Sequence, residues 1–260
     1  MRLDEALRRA RTEGTPIVVP YLMVDRSRQD SLRATVTALR DGGATALELG
    51  FPFSDPIADG PVLEAAHDRA LAHGTLWTDL LRACRVAGGI LPTAVMTYAN
   101  PLWHRNIDRA LEELAGAGAS GLIVPDLSLE EASPFHRAAR RADLSLVLLA
   151  APGIARPRLE RIARSSRGFL YLVSRYGTTG AGSGRAQVDL RPLVRTVRDA
   201  APELPVLVGF GVRDPRTARA AWATGADGVI VGSALEERIR DGARPDDLGA
   251  WVHGIAHARG

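Results

Sequence analysis

The sequence predicts an α/β protein folded as a single (β/α)8 barrel of the TIM type, with an extra helix at the N-terminus. Three observations carry that expectation. Eight short β-rich runs alternate with helical stretches along the whole of the 260 residues. No Pro/Gly/Ser-rich linker or shift in composition divides the chain. The unusual polar residues and glycine clusters fall at the ends of the β-rich runs, where a barrel of about 250 residues keeps its chemistry. An open doubly wound sheet is the alternative topology for the same alternation.

The elements follow in order. Residues 2–12 read as an amphipathic helix ahead of the first strand. Strands are expected at residues 17–22, 46–52, 92–98, 121–126, 144–152, 168–174, 205–211 and 228–234. Between them apolar residues recur at helical spacing with Gly, Asp or Pro near the ends, as at 107–117 and 191–200. A final helix is expected near 246–258.

Composition narrows the function. With 46% hydrophobic and 24% charged residues the chain has the make-up of a globular protein with a full core. No apolar run approaches the roughly 20 residues of a membrane span, and the N-terminus lacks the apolar stretch of a signal peptide, so a cytoplasmic location is expected. There is no lysine, so all 33 basic residues are arginine. Schiff-base chemistry on a lysine is therefore excluded. The formal net charge is only +3, and the arginines lie along helical stretches such as 8–11 and 136–141 without aromatic interleaving. That pattern fits a solvated face, not a nucleic-acid groove. Cys84 is the sole cysteine, which precludes an internal disulfide and points to a core position. The histidines, at 67, 73, 104, 136, 253 and 257, lack metal-ligand spacing; surface or core roles and no metal are expected.

Glu48 stands out, because it places a carboxylate in an apolar strand. Side chains alternate along a strand, so Ala46, Glu48 and Gly50 share one face while Leu47 and Leu49 share the other. If the first face lines a barrel, the small neighbours leave room for a ligand and the leucines pack outward against helices. A structural glutamate paired with an arginine is the other reading, since an ionised carboxylate is too costly to bury without a partner or a task. Asp59, on the following loop, is a second acid/base candidate, although Asp59-Gly60-Pro61 also suits a turn and helix start. Glycines cluster after the last three strands. Residues 177–184 read from their glycines as a lid-length segment, Gly211 is expected to close the seventh strand, and Gly232-Ser233 to open a helix whose N–H groups suit a phosphate. Ser233 to Glu236 equally reads as a capping box, and Glu236 would repel a phosphate if it pointed inward.

These residues resemble the tryptophan synthase α subunit family over nearly the whole chain. The likeness is carried by Glu48-Leu49-Gly50-Phe51-Pro52-Phe53-Ser54-Asp55-Pro56-Ile57-Ala58-Asp59-Gly60-Pro61, by Met96-Thr97-Tyr98-Ala99-Asn100-Pro101, and by Val124-Pro125-Asp126. It continues through Tyr171-Leu172-Val173-Ser174-Arg175-Tyr176-Gly177-Thr178-Thr179-Gly180-Ala181, Gly209-Phe210-Gly211 and Gly232-Ser233-Ala234. The resemblance implies retro-aldol cleavage of indole-3-glycerol phosphate to indole and glyceraldehyde 3-phosphate, without cofactor or metal, and partnership with a β subunit. It implies Glu48 and Asp59 as the catalytic pair, Tyr98 and Tyr171 in the indole pocket, Thr179 and Gly180 in the lid, and Gly180, Gly211, Gly232 and Ser233 on the phosphate. Glu48, desolvated, would carry protons, and Asp59, on a more solvated loop, would stay ionised and accept the indole N–H.

Departures from the family fall at residues 23–28, at Glu64, at Ser128 and at residues 181–185. Several of these positions meet the β subunit in the family. Weakened partnership is therefore expected, and a stand-alone indole-3-glycerol phosphate lyase or a non-catalytic activator of a β subunit are the alternatives. Another phosphate-sugar barrel, such as an isomerase, would share the glycine sites but not the block from Glu48 to Asp59.

Overall fold

Alternating side chains on eight strands divide the apolar residues of this chain into an inner and an outer core. The computed structural model describes residues 2–173, 189–209 and 211–259, the side chain of Arg259 excepted. Strands β1 (Ile17–Met23), β2 (Leu47–Gly50), β3 (Thr93–Met96), β4 (Gly121–Ile123), β5 (Ser145–Ala150), β6 (Leu170–Val173), β7 (Val206–Gly209) and β8 (Gly228–Val231) run in sequence order around a closed barrel. Each pairs in parallel with the next, and β1 closes on β8, which excludes the open sheet.

Ile17, Val19, Tyr21, Ala46, Ala94, Ile123, Val147, Phe169, Leu207 and Ile230 point into the barrel. Val18, Leu47, Leu49, Val95, Leu122, Leu146, Leu172 and Val229 point out, under the helices. The predicted outward packing of Leu47 and Leu49 is therefore what forms. Cys84, on helix Trp77–Gly88, is buried in the outer core, and burial pushes its thiol up to about 12. It is a packing residue, as its sequence context suggests.

At β2, β3, β4, β5 and β8 the regular ladder stops before the end of the β-rich run, whereas β1 runs one residue past it, to Met23. After β2 and β3 the pairing thins to single bonds, Phe51 N–H to Met96 O (2.9 Å) and Thr97 N–H to Ile123 O (3.1 Å). The expected run 228–234 divides at Gly232, with Ser233 and Ala234 opening helix Ser233–Arg240. Apolar content alone does not mark where a strand leaves the ladder, because residues just beyond it, such as Pro52, Thr97, Tyr98 and Val124, are buried as well.

Helix Leu3–Thr12 plugs the barrel end at which the strands begin. Its spacing places Leu3, Leu7 and Ala10 in the inner core, and burying each leucine contributes about 2 kcal/mol. Arg11 fastens the plug, with Nε 3.2 Å from Asp227 and Nη1 donating to Pro202 O. The barrel interior therefore opens toward the C-terminal ends of the strands. No helix among the described residues is long and apolar enough to cross a membrane.

Candidate active site

Glu48 lies on the inner face of β2, beside Tyr21 of β1 and Ala94 of β3 in register. It is fully buried, and neither carboxylate oxygen has a hydrogen-bond partner among the described residues. No arginine pairs with it there, so the structural reading has no support in the geometry. Burial, and after it the charge of Asp59, pushes the carboxyl up to about 8. The room expected beside Gly50 is occupied: a Cβ there would collide with the phenol of Tyr21, which fills the notch. Gly209 likewise accommodates Tyr171. Each glycine lets an aromatic side chain of the preceding strand lie close against the backbone.

Asp59 differs from its expected setting. The loop does make the turn that its sequence suggests, with Asp59 N–H donating to Pro56 O at 2.9 Å and Pro61 at the first position of helix Pro61–Ala72. The side chain, however, is fully buried, not solvated. Tyr98 Oη donates to its Oδ2 at 2.8 Å, and His67 Nε2 lies 3.1 Å from the same oxygen. Oδ1 has no partner among the described residues. Donors replace the water that a more open loop would supply.

Both carboxylates line one cavity at the barrel mouth. Tyr21, Leu63, Met96, Tyr171, Val212 and Ile230 supply broad, mainly apolar walls, and Gly60, Gly211, Gly232 and Ser233 complete the lining. Tyr171 thus lies on the cavity. Tyr98 does not: it stands behind Asp59, buried, its ring stacked on Phe53 with centroids 5.1 Å apart. Its hydroxyl also accepts the Ala58 N–H at 3.0 Å. Burial first, and then Asp59, raises its phenol far above the ordinary value.

Two of the three glycine sites, Gly211 and Gly232-Ser233, lie on this cavity, and residues 177–184 lie outside the described residues. Gly211 has a φ of 108°, a region that penalises a side chain, and Gly232 precedes the first turn of helix Ser233–Arg240. First-turn N–H groups have no partner within their helix, and here Ser233 lies on the cavity. Glu236 does not oppose an anion from within. Its Oε1 accepts the Met23 N–H at 2.8 Å, and its Oε2 faces Arg28 and Arg69 at 3.5 and 3.7 Å. It braces the end of β1 instead of closing a capping box. Thr179 and Gly180 lie outside the described residues.

The apolar wall residues Tyr21, Leu63, Met96, Val212 and Ile230 were not anticipated from the sequence, nor was His67. Tyr21 carries a signal in its strand parity, since it sits on the inward face set by Ile17 and Val19. His67 carries one in its spacing: Leu63, His67 and Ala70 fall on one stripe of a helix that begins right after Asp59. Among the described residues no group of three or more His, Cys, Asp or Glu side chains is gathered as for a metal ion.

Comparison with known proteins places this arrangement. The family model for the tryptophan synthase alpha chain matches residues 7–249. The alpha chain of Prochlorococcus marinus (strain MIT 9313) is 42% identical over 239 residues, covering 91% of this chain and 86% of that one. That of Synechococcus sp. (strain CC9902) is 44% identical over 229 residues, covering 87% and 84%. Among solved structures, Mycobacterium tuberculosis tryptophan synthase superposes with a TM-score of 0.88 at 34% identity, covering 99% of this chain and 97% of that one. The alpha subunit from Legionella pneumophila str. Paris gives 0.85 at 30% identity, covering 99% and 98%. With the family model, these relatives and the fold in agreement, the chain belongs to the tryptophan synthase alpha chain family.

Proposed function

We infer that this protein is a carbon–carbon lyase of tryptophan biosynthesis that cleaves indole-3-glycerol phosphate to indole and glyceraldehyde 3-phosphate. The observation that carries the reading is the pair of buried carboxylates on one cavity, one without donors among the described residues and one held by two. Cleavage requires a proton on indole C3, support for the positive ring nitrogen that results, and removal of a proton from the hydroxyl on the carbon attached to C3. Glu48, with its carboxyl raised to about 8, is protonated at neutral pH and suited to deliver the first proton. Once ionised it takes the hydroxyl proton as the carbon–carbon bond breaks. The electron pair of that bond passes into the ring, the side chain leaves as the aldehyde, and Glu48 regains its proton.

Asp59 accepts the indole N–H on Oδ1, the oxygen without a partner among the described residues, and stabilises the charge that develops on nitrogen. The flat walls of Tyr171, Leu63 and Ile230 suit the indole ring, and the N–H groups near Gly211, Gly232 and Ser233 suit the phosphate. Thr179 and Gly180 are assigned to the lid on the resemblance alone.

Association with a β subunit belongs to the same reading. Ile57, 75% exposed on the loop that carries Asp59, and Trp103, 54% exposed on the helix after β3, offer apolar contacts at the open end of the barrel. Incubating the purified chain with indole-3-glycerol phosphate and following indole tests the function. Turnover that disappears in Glu48→Gln is expected, and a wild-type chain that releases no indole, alone or with a β subunit, would refute it.

A further inference from the structure

We propose that His67 is a positioning residue for the reaction: it fixes which oxygen of Asp59 faces the substrate and fastens the loop that carries it. The proposal rests on the function inferred above and goes beyond it, because His67 is not among the residues that line the cavity.

The geometry determines the ring's state. The Phe53 backbone N–H donates to His67 Nδ1 at 2.9 Å. A backbone N–H has no acceptor capacity, so Nδ1 must be bare and the proton of the neutral ring must sit on Nε2. Nε2 is the nitrogen 3.1 Å from Asp59 Oδ2, so it donates there. One ring therefore ties residue 53, at the start of the loop, to residue 59, at its end. The buried imidazole sits on the inward stripe of helix Pro61–Ala72, a rigid element, and its edge lies against the Tyr98 ring with centroids 6.2 Å apart.

Tyr98 completes the clamp. Its hydroxyl accepts from Ala58 N–H and donates to the same Oδ2, while Phe53 stacks on its ring. With both donors on Oδ2, rotation of the carboxylate is opposed and Oδ1 is left for the indole N–H. Every contact in this clamp lies within residues 53–98, so it does not draw on the segment assigned to the lid. A group held in its reacting orientation before substrate arrives costs no reorganisation during the step.

The test compares His67→Leu, which removes both polar atoms, with His67→Gln, whose amide oxygen and nitrogen supply an acceptor and a donor in place of Nδ1 and Nε2. Steady-state turnover of indole-3-glycerol phosphate by the full chain should show kcat lowered about 10- to 100-fold in His67→Leu with KM changed less than about 3-fold. His67→Gln should recover to within about 3-fold of wild type. An unchanged kcat in His67→Leu, or equal losses in both variants, would overturn the proposal, since the second result assigns the effect to packing. Imidazole 15N NMR of the wild-type protein gives a reading independent of turnover and of variant folding. A proton on Nε2 with a bare Nδ1 is expected, and the opposite tautomer overturns the clamp. A wild-type chain that makes no indole but shows the expected tautomer would refute the function and leave the clamp standing.

Discussion

The end of β2 and the loop that follows it each bury a carboxylate completely, and the two surroundings are opposite. Glu48 sits among Tyr21, Met96 and the barrel wall with no donor on either oxygen among the described residues. Asp59 receives Tyr98 and His67 on one oxygen and keeps the other for the cavity. Burial alone does not assign a role to an acid. Burial without donors holds a proton in place for transfer, whereas burial with donors on one oxygen orients a carboxylate toward the ring nitrogen. Two acids of similar intrinsic strength can thus divide acid/base work and charge stabilisation within one cavity.

The largest effect should come from removing the proton carrier. Glu48→Gln keeps the shape but has no transferable carboxyl proton, so kcat should fall by about 10³ to 10⁴ with binding of the substrate retained. Near-wild-type turnover would end the division of labour. Asp59→Asn replaces the carboxylate at the ring nitrogen, and a loss of about 10² to 10³ in kcat is expected. If only one of the two substitutions matters, the paired scheme needs replacing. Gly211→Ala acts at the other end of the ligand. Its φ of 108° is unfavourable for alanine, and a several-fold rise in KM for the phosphorylated substrate with a smaller change in kcat is expected. An unchanged KM there would move the phosphate site.

Stability offers a finer comparison. The unfolded chain releases the Glu48 proton near the model-peptide value of 4.5, while the folded chain holds it to about 8. Between those values the folded state binds more protons, so this residue lowers stability as pH rises through that window and makes no further change above it. Each pKa unit corresponds to about 1.4 kcal/mol, so Glu48→Gln should gain on wild type by a few kcal/mol between pH 4 and pH 9. Urea unfolding at the two pH values measures this, and a pH-independent difference would contradict it.

Much of this contrast was legible in the sequence. Strand alternation placed Glu48 inward with Leu47 and Leu49 outward, and turn residues placed Asp59 beside it. What could not be read locally depends on neighbours across the barrel. Gly50 looked like open space until the β1–β2 register put Tyr21 over it. Asp59 looked solvated because its loop is rich in Pro, Asp and Gly, and the donors that bury it come from residues 67 and 98. His67 looked ordinary because metal spacing was the criterion, whereas its significance lies in the stripe it shares with Leu63 and Ala70. The runs at β2, β3 and β4 read longer than their ladders for a related reason: Pro52, Thr97, Tyr98 and Val124, past the ladder, stay buried at the mouth.

The loop at residues 23–28, where the sequence is expected to depart from the family, yields the smallest prediction. Asp25 holds Ser27 N–H at 2.9 Å and His73 Nδ1 at 2.9 Å, and Arg26 Nε reaches Asp79 at 3.1 Å. These bonds turn the loop onto the chain's own helices. A heterologous β subunit should therefore bind weakly and raise indole release only modestly, because it has little differential hold on this loop. Tight stoichiometric binding with a large rate increase in a titration would show that the substitutions are tolerated.

If Glu48, without donors among the described residues, is the proton carrier, its own titration will show it. Carboxyl 13C NMR of glutamate-labelled protein, with Glu48→Gln to assign the signal, should show Glu48 titrating near pH 8. In Asp59→Asn the titration should move downward as the neighbouring negative charge is removed. A Glu48 signal that titrates in the ordinary carboxylate range in the wild-type protein would contradict the account.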